Sequence, residues 1–179
     1  MRTTPYASAQ RQALQRRARV VPPTPVEAVE AHFRAVVTKD AAEIVGRYAA
    51  SPDLYVFVEG PRWSTVGHDA VATGWRAFCD AAMSVRSISW VEGPHAGALG
   101  GGGAWVAGVV DLDVELAEGG RRTVRLRGTH VLEKTASGWA IVHEHFSQPA
   151  ADPYGIGDWL PATSEGGSAE SEAGDAPDS

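Results

Sequence analysis

Near residue 85 the spacing of apolar residues changes from helical to strand-like, and this restricts the chain to a fold with helices first and a sheet after. Upstream, Thr24-Pro25-Val26-Glu27 forms a capping box with proline at the first helical position. Val26, Val29, Phe33, Val36 and Val37 follow it on one helical face. A second box, Asp40-Ala41-Ala42-Glu43, starts a short helix carrying Ile44, Val45 and Tyr48, which Pro52 ends. A strand is expected at about Leu54–Val58, then a loop from Gly60-Pro61 to Gly67. A third helix is expected from about Asp69 to Ala82, with Val71, Trp75, Phe78 and Ala82 on one side. Downstream, strands are expected at about Val85–Glu92, Ala104–Leu116, Arg121–Lys134 and Trp139–Ser147. Three helices followed by an antiparallel meander predict an α+β cone, with the helices on one face of a curved sheet. The glycine-rich stretch 97–103 lacks lysine and a strand–loop–helix setting, so it reads as a hairpin connection and not a phosphate loop.

At 179 residues the chain suits one domain. Its charge is unevenly spread. Residues 1–20 carry five arginines and no acid, and residues 162–179 carry five acids and no base. The two tails cancel, so the net −6 belongs to the central part, about residues 21–161. That sign disfavours nucleic-acid binding, which depends on Lys and Arg neutralising phosphates. Both tails read as solvated, disordered arms, the second for lack of bulky apolar residues. No run is long enough for a membrane helix, and the N-terminus lacks the apolar core of a secretory signal. Cys79 is the only cysteine, so no internal disulfide forms, and a cytoplasmic location is expected.

Register follows from the turns. A three-residue loop at Glu118-Gly119-Gly120 would set Ala117 opposite Arg121, Asp113 opposite Arg125 and Asp111 opposite Arg127. A three-residue loop at Ala136-Ser137-Gly138 would set Thr135 opposite Trp139 and His130 opposite Glu144. His130 and Glu144 would then face the helices with Leu132, Val142 and Phe146, while Arg127, Thr129, His143, His145 and Ser147 face away with Asp111. A shift by one residue would bring His143 and His145 inside instead. A His–carboxylate pair in an apolar cone suits proton transfer, and equally suits a satisfied buried hydrogen bond. Under the first reading His130 moves the proton and Glu144 sets its tautomer. The His143-x-His145 spacing could hold a metal with a third ligand, but Gln148 and Pro149 stand where a carboxylate would be wanted a few residues on, so no metal is expected, nor any organic cofactor. Tyr55 and Phe57, alternating with Glu59 beyond them, are expected at the pocket mouth, and Trp75 against a ligand.

The segment Gly138–Ser147 resembles the terminal strand of SnoaL-like proteins and is similar to that of the association domain of calcium/calmodulin-dependent protein kinase II. Arg127, Thr129, Val131 and Leu132 match the preceding strand of SnoaL-like proteins, and Gly67-His68-Asp69-Ala70-Val71 resembles their entry to the third helix. The resemblance spans about residues 24–150 and implies the nuclear transport factor 2-like (ketosteroid isomerase-like) cone. That family includes isomerases, cyclases, epoxide hydrolases and scaffolds. Asp111 with Arg127 resembles the Asp/Arg arrangement of its epoxide hydrolases, and also reads as a cross-strand ion pair. Arginines lining the association domain's pocket match His130 and Phe146 here, which implies a pocket of altered charge. The expected activity is binding of a small, largely apolar metabolite with isomerase- or cyclase-type acid–base chemistry. The competing expectation is a non-catalytic dimerisation module. A homodimer is expected through the sheet face bearing Trp105, Val109, Val131 and Ile141.

Limited proteolysis is expected to remove residues before about Val20 and after about Pro161 and to leave a core of nearly unchanged melting temperature. A core that unfolds on trimming would show that the tails pack.

Overall fold

The computed structural model describes residues 22–58, 62–150, 152 and 157; the two expected tails and Glu59 lie outside them. Among the described residues three α-helices, α1 (Pro25–Thr38), α2 (Ala41–Val45) and α3 (His68–Asp80), accompany six strands. The strands are β1 (Tyr55–Phe57), β2 (Thr65–Val66), β3 (Ser84–Leu99), β4 (Gly103–Glu115), β5 (Arg121–Thr135) and β6 (Gly138–Ser147). None of the helices among the described residues is long and apolar enough to cross a membrane.

The capping box forms as expected. Thr24 Oγ1 accepts from the Glu27 N–H at 3.2 Å, and the Glu27 carboxylate accepts from the Thr24 N–H at 2.7 Å. Asp40 caps α2 by accepting from the Glu43 N–H at 2.9 Å. Lys39, at the left-handed C-cap of α1 (φ 55°), donates to the carbonyls of Ala81 and Met83, at 2.5 and 3.0 Å. This anchors α1 to the link between α3 and β3.

The sheet runs in the order β2-β1-β6-β5-β4-β3. It is mixed, because β1 lies parallel to β6, where a wholly antiparallel meander was expected. The expected loop after β1 contains β2, which folds back antiparallel onto it. The long hairpin also differs, since β3 continues through Gly97 to Leu99 and leaves only Gly100–Gly102 as the turn. On the helix-facing side, Val106, Val110, Val114, Leu126, Leu132 and Ile141 meet Val29, Phe33 and Val36 of α1, with Ile44, Leu54, Val56 and Val71 closing the core.

Both expected turns are corrected. Between β4 and β5 the loop spans five residues, with Leu116 N–H bonded to Gly120 O, so Glu115 faces Arg121 and Asp111 faces Arg125. Gly119 and Gly120 both take positive φ (91° and 90°), whereas a three-residue hairpin loop uses one such position. The slip is two residues, so every side chain keeps its face. Between β5 and β6 the turn has two residues, and Thr135 faces Gly138. A one-residue slip would reverse the faces, but a bulge at Val142 restores them. Leu132 faces Ile141, Val131 faces His143, and His130 faces Glu144. Ile141 therefore belongs to the core and not to the outer face, and Val142 is the bulged residue.

Gly108 and Gly128 face each other across β4 and β5, and an aromatic ring lies over each. A Cβ on Gly108 would meet the Glu92 carbonyl and, at 2.9 Å, the Trp90 ring; one on Gly128 would meet the Phe146 ring at 2.8 Å. Gly74 in α3 has nothing within 4 Å of such an atom. Urea unfolding should therefore show Gly108→Ala destabilised by about 1–3 kcal/mol. Gly74→Ala should be stabilised by about 0.8–1 kcal/mol, the helix-propensity gain. Equal responses would contradict the close approach at Gly108.

Candidate functional site

Between α1, α3 and the helix-facing side of the sheet lies a cavity of about 510 Å³. Its wall is apolar, built from residues such as Val36, Val71, Phe78, Ile88, Leu112, Val124, Leu126 and Phe146. His32 and Trp75 interrupt that wall with polar atoms, and both belong to a buried cluster. A second hollow of about 450 Å³, between α1 and β3, is lined by Glu30, Arg34, Thr38 and Arg86 among apolar residues, and no polar member of the cluster lines it.

Glu144 is the hub. Its Oε1 lies 3.1 Å from His130 Nε2 and 3.2 Å from His32 Nε2, and its Oε2 accepts from the Tyr48 hydroxyl at 2.5 Å. The Tyr48 oxygen in turn accepts from Trp75 Nε1–H at 3.0 Å. Four of these groups are out of water, with His130 and Glu144 0 %, His32 1 % and Tyr48 4 % exposed, and Trp75 is half-buried. To donate to the carboxylate each imidazole needs its proton on Nε2. The Nδ1 atoms of His32 and His130 have no hydrogen-bond partner among the described residues.

The elements place these groups for local reasons. His130 and Glu144 meet because the β5–β6 register past the bulge pairs them. His32 lies one turn after Val29 and one before Val36, on the buried face of α1. Tyr48 is held by its own backbone neighbours, with Ile141 N–H donating to Arg47 O at 2.8 Å and Ala49 N–H to Ile141 O at 2.9 Å. The Ile141 next to the bulge thus fixes the segment that delivers the Tyr48 hydroxyl to Glu144.

Burial alone pushes the Glu144 carboxyl up. The electrostatic attraction of His32 and the hydrogen bonds from His130 and His32 outweigh it, and hold the group well below the usual carboxylate range. Burial, and then the Glu144 charge, push the Tyr48 hydroxyl well above its ordinary value. Tyr48 is therefore a standing proton donor to a standing carboxylate.

The other sequence candidates separate by face. Trp75 and Phe146 line the cavity. Phe146 packs edge-on against the His130 ring at 5.5 Å. Tyr55 and Phe57, expected at the mouth, lie instead on the face away from the helices, because the strand alternation turns Val56 inward. There they meet His143 and His145. His143 Nδ1–H donates to Tyr55 O at 2.7 Å, and the His145 ring meets Phe57 at 5.3 Å. Asp111 and Arg127 are not brought together. Arg125 holds Asp111 through two hydrogen bonds of 2.7 and 2.8 Å, and Arg127 donates to Gln148 O at 3.1 Å. The epoxide-hydrolase-like arrangement is therefore not formed. Among the described residues no group of three or more His, Cys, Asp or Glu is arranged to hold a metal ion.

Sequence reasoning missed His32 and Tyr48. The signal for His32 was a polar residue inside an apolar helical stripe. Tyr48 was counted among the apolar positions of α2, so its hydroxyl went unconsidered.

Known proteins bear on this geometry. No curated protein matches the chain. Among solved structures, a nuclear transport factor 2-like superfamily protein from Salmonella enterica superposes with a TM-score of 0.63 at 19 % identity, covering 85 % of this chain and 99 % of that one. A ketosteroid isomerase-like protein from Erwinia carotovora atroseptica gives 0.58 at 17 % identity, covering 69 % and 92 %. The association domain of CaMKII from C. elegans gives 0.55 at 18 % identity, covering 81 % and 100 %. At these identities the likeness is one of fold. The SnoaL-like domain family matches residues 26–151, which hold all six strands, the cavity and the whole Glu144 cluster, and the chain belongs to that family.

Proposed function

We propose that this chain binds a small, largely apolar molecule in the cone cavity and offers it acid–base chemistry of the isomerase or cyclase kind. The observation that carries this reading is an apolar cavity of about 510 Å³ whose wall exposes two members of a buried hydrogen-bonded cluster, His32 and Trp75. A general base must come within hydrogen-bond reach of the proton it takes. His32 lines the cavity and His130 does not, which favours His32 as the group that moves the proton. Its Nδ1, with no hydrogen-bond partner among the described residues, is the basic atom. Glu144 sets the tautomer of both rings and stabilises the imidazolium formed on either. Trp75 and Phe146 hold the ligand's apolar body. Proton transfer of this kind calls for no organic cofactor or metal.

A second, compatible reading is assembly. The outer face carries half-buried Trp105, Val109 and Val131, a surface that a second copy of the chain would cover. The fold likeness to an association domain supports it. In this reading the unit is about residues 21–161, a cytoplasmic homodimer, and sedimentation at micromolar concentration should give twice the chain mass of 18.9 kDa. A monomer there would end this reading and leave the first intact.

The cavity can be tested without its natural ligand. The neutral apolar dye N-phenyl-1-naphthylamine should bind, and Gly74→Phe, which adds a ring where a Cβ meets nothing within 4 Å, should weaken it at least about tenfold. The base can be read with 5-nitrobenzisoxazole, an apolar compound opened by proton abstraction. Wild type should accelerate it, and His32→Gln should be about 100-fold slower. Unchanged turnover in that variant would remove His32 from the role.

Acid stability tests Glu144. Its folded-state value lies below the unfolded one, so the carboxylate contributes fully above about pH 4.3. That contribution is lost as pH falls from there towards the folded value. Glu144→Gln should cost about 1–3 kcal/mol at pH 7, and its stability should fall less steeply than wild type below pH 4.3. Parallel acid profiles would contradict the depressed carboxylate.

A further inference from the structure

Among the described residues one Lys, Arg, Asp or Glu side chain lines the apolar cavity, and it is Arg122. Alternation along β5 places Arg122 on the same side as Val124, Leu126 and His130. Burial falls steadily along that row. His130 is 0 % and Leu126 3 % exposed, Val124 is half-buried, and Arg122 is exposed. The row therefore runs from the sealed interior to the open mouth, with Arg122 at the rim beside the β4–β5 loop. The cavity wall between Leu126 and Arg122 covers four residues of strand, about 13 Å at the usual rise.

Arg122 is also uncommitted. Its cross-strand partner is Val114, and its guanidinium makes no hydrogen bond or ion pair among the described residues. Its neighbours differ. Arg125 is held by Asp111, and Arg86 by Glu115. Among the described residues no carboxylate lines the cavity, so Arg122 places a positive charge on its wall in a chain whose net charge is −6. Apolar walls around such a charge limit competition from water and favour an anion placed there.

We propose that the ligand is an amphipathic anion, an apolar body bearing a carboxylate or sulfonate-type group, which enters body first and leaves its anion on the Arg122 guanidinium. The guanidinium fork suits such a group through paired N–H donors. The end remote from the anion then faces His32 and Trp75. This rests on the ligand-binding reading above and adds the ligand's charge and its orientation.

A matched pair of dyes separates the two claims. 1-Anilinonaphthalene-8-sulfonate and N-phenyl-1-naphthylamine share one skeleton and differ by the sulfonate. Fluorescence titration of the full chain should show the sulfonate dye binding about tenfold more tightly than the neutral one. Arg122→Gln should remove that advantage and leave the neutral dye unchanged, and Arg122→Lys should keep part of it. Arg121→Gln, which removes an equal charge from the opposite face of the same strand, should change neither dye. Equal binding of both dyes to wild type, or equal losses from Arg121→Gln and Arg122→Gln, would overturn the anion claim and leave the cavity reading standing. Failure of both dyes to bind would overturn both. Circular dichroism of each variant checks that the fold is intact.

Discussion

A carboxylate with no access to water sits at the centre of this fold, and three donors make it tolerable. Glu144 accepts from His32, His130 and Tyr48. Removing such a group from water costs several kcal/mol. Hydrogen bonds to a charged acceptor contribute about 1.5–3 kcal/mol each. Three of them bring the balance close to neutral, so the cluster specifies the arrangement of the core more than it stabilises it. The donors come from α1, from the segment after α2 and from β5, while the acceptor comes from β6. Each element must be in place for the carboxylate to be satisfied.

The same requirement links local backbone irregularities to the site. A two-residue β5–β6 turn alone would point Glu144 away from the helices, and the bulge at Val142 reverses this. The bulge also leaves Ile141 in the core, its backbone bonded to Arg47 and Ala49, which flank Tyr48. One extra residue in β6 thus positions both the acceptor and one donor. Gly108 and Gly128 complete the arrangement by making room for the Trp90 and Phe146 rings, the second of which packs against His130. The cavity begins where this packing ends, with His32 and Trp75 shared between cluster and wall.

Much of this was legible in the sequence. The Thr24–Glu27 capping box places α1 and the Asp40 cap places α2, where Glu43 bonds Arg47 and does not close the second expected box, and the change of period separates helices from sheet. The pairing of His130 with Glu144 was also readable, though by two errors that cancel. The turn is one residue shorter than expected, and an unexpected bulge compensates. Bulges leave no reliable mark in a single sequence, because only the competition between core packing and turn geometry decides where one falls. The Asp111–Arg127 expectation failed through a two-residue slip, invisible to arguments from facing, since alternation has the same period. His32 and Tyr48 were missed for a different reason. Periodicity identifies the side of a helix but does not distinguish a polar atom that meets a partner from one that is tolerated. The partner lies 96 residues beyond Tyr48, and only the assembled sheet brings it near.

The central claim is that Glu144 remains a carboxylate inside the core, held by imidazole and phenol donors. The most direct measurement is the side-chain carboxyl ¹³C shift of Glu144, assigned by its absence in Glu144→Gln and followed by NMR as pH falls from 7. The account predicts a resonance that stays at the ionised position through the range in which exposed glutamates titrate, about pH 4.3, until the protein unfolds. A resonance that moves to the protonated position at or above that pH, with the fold intact, would contradict it.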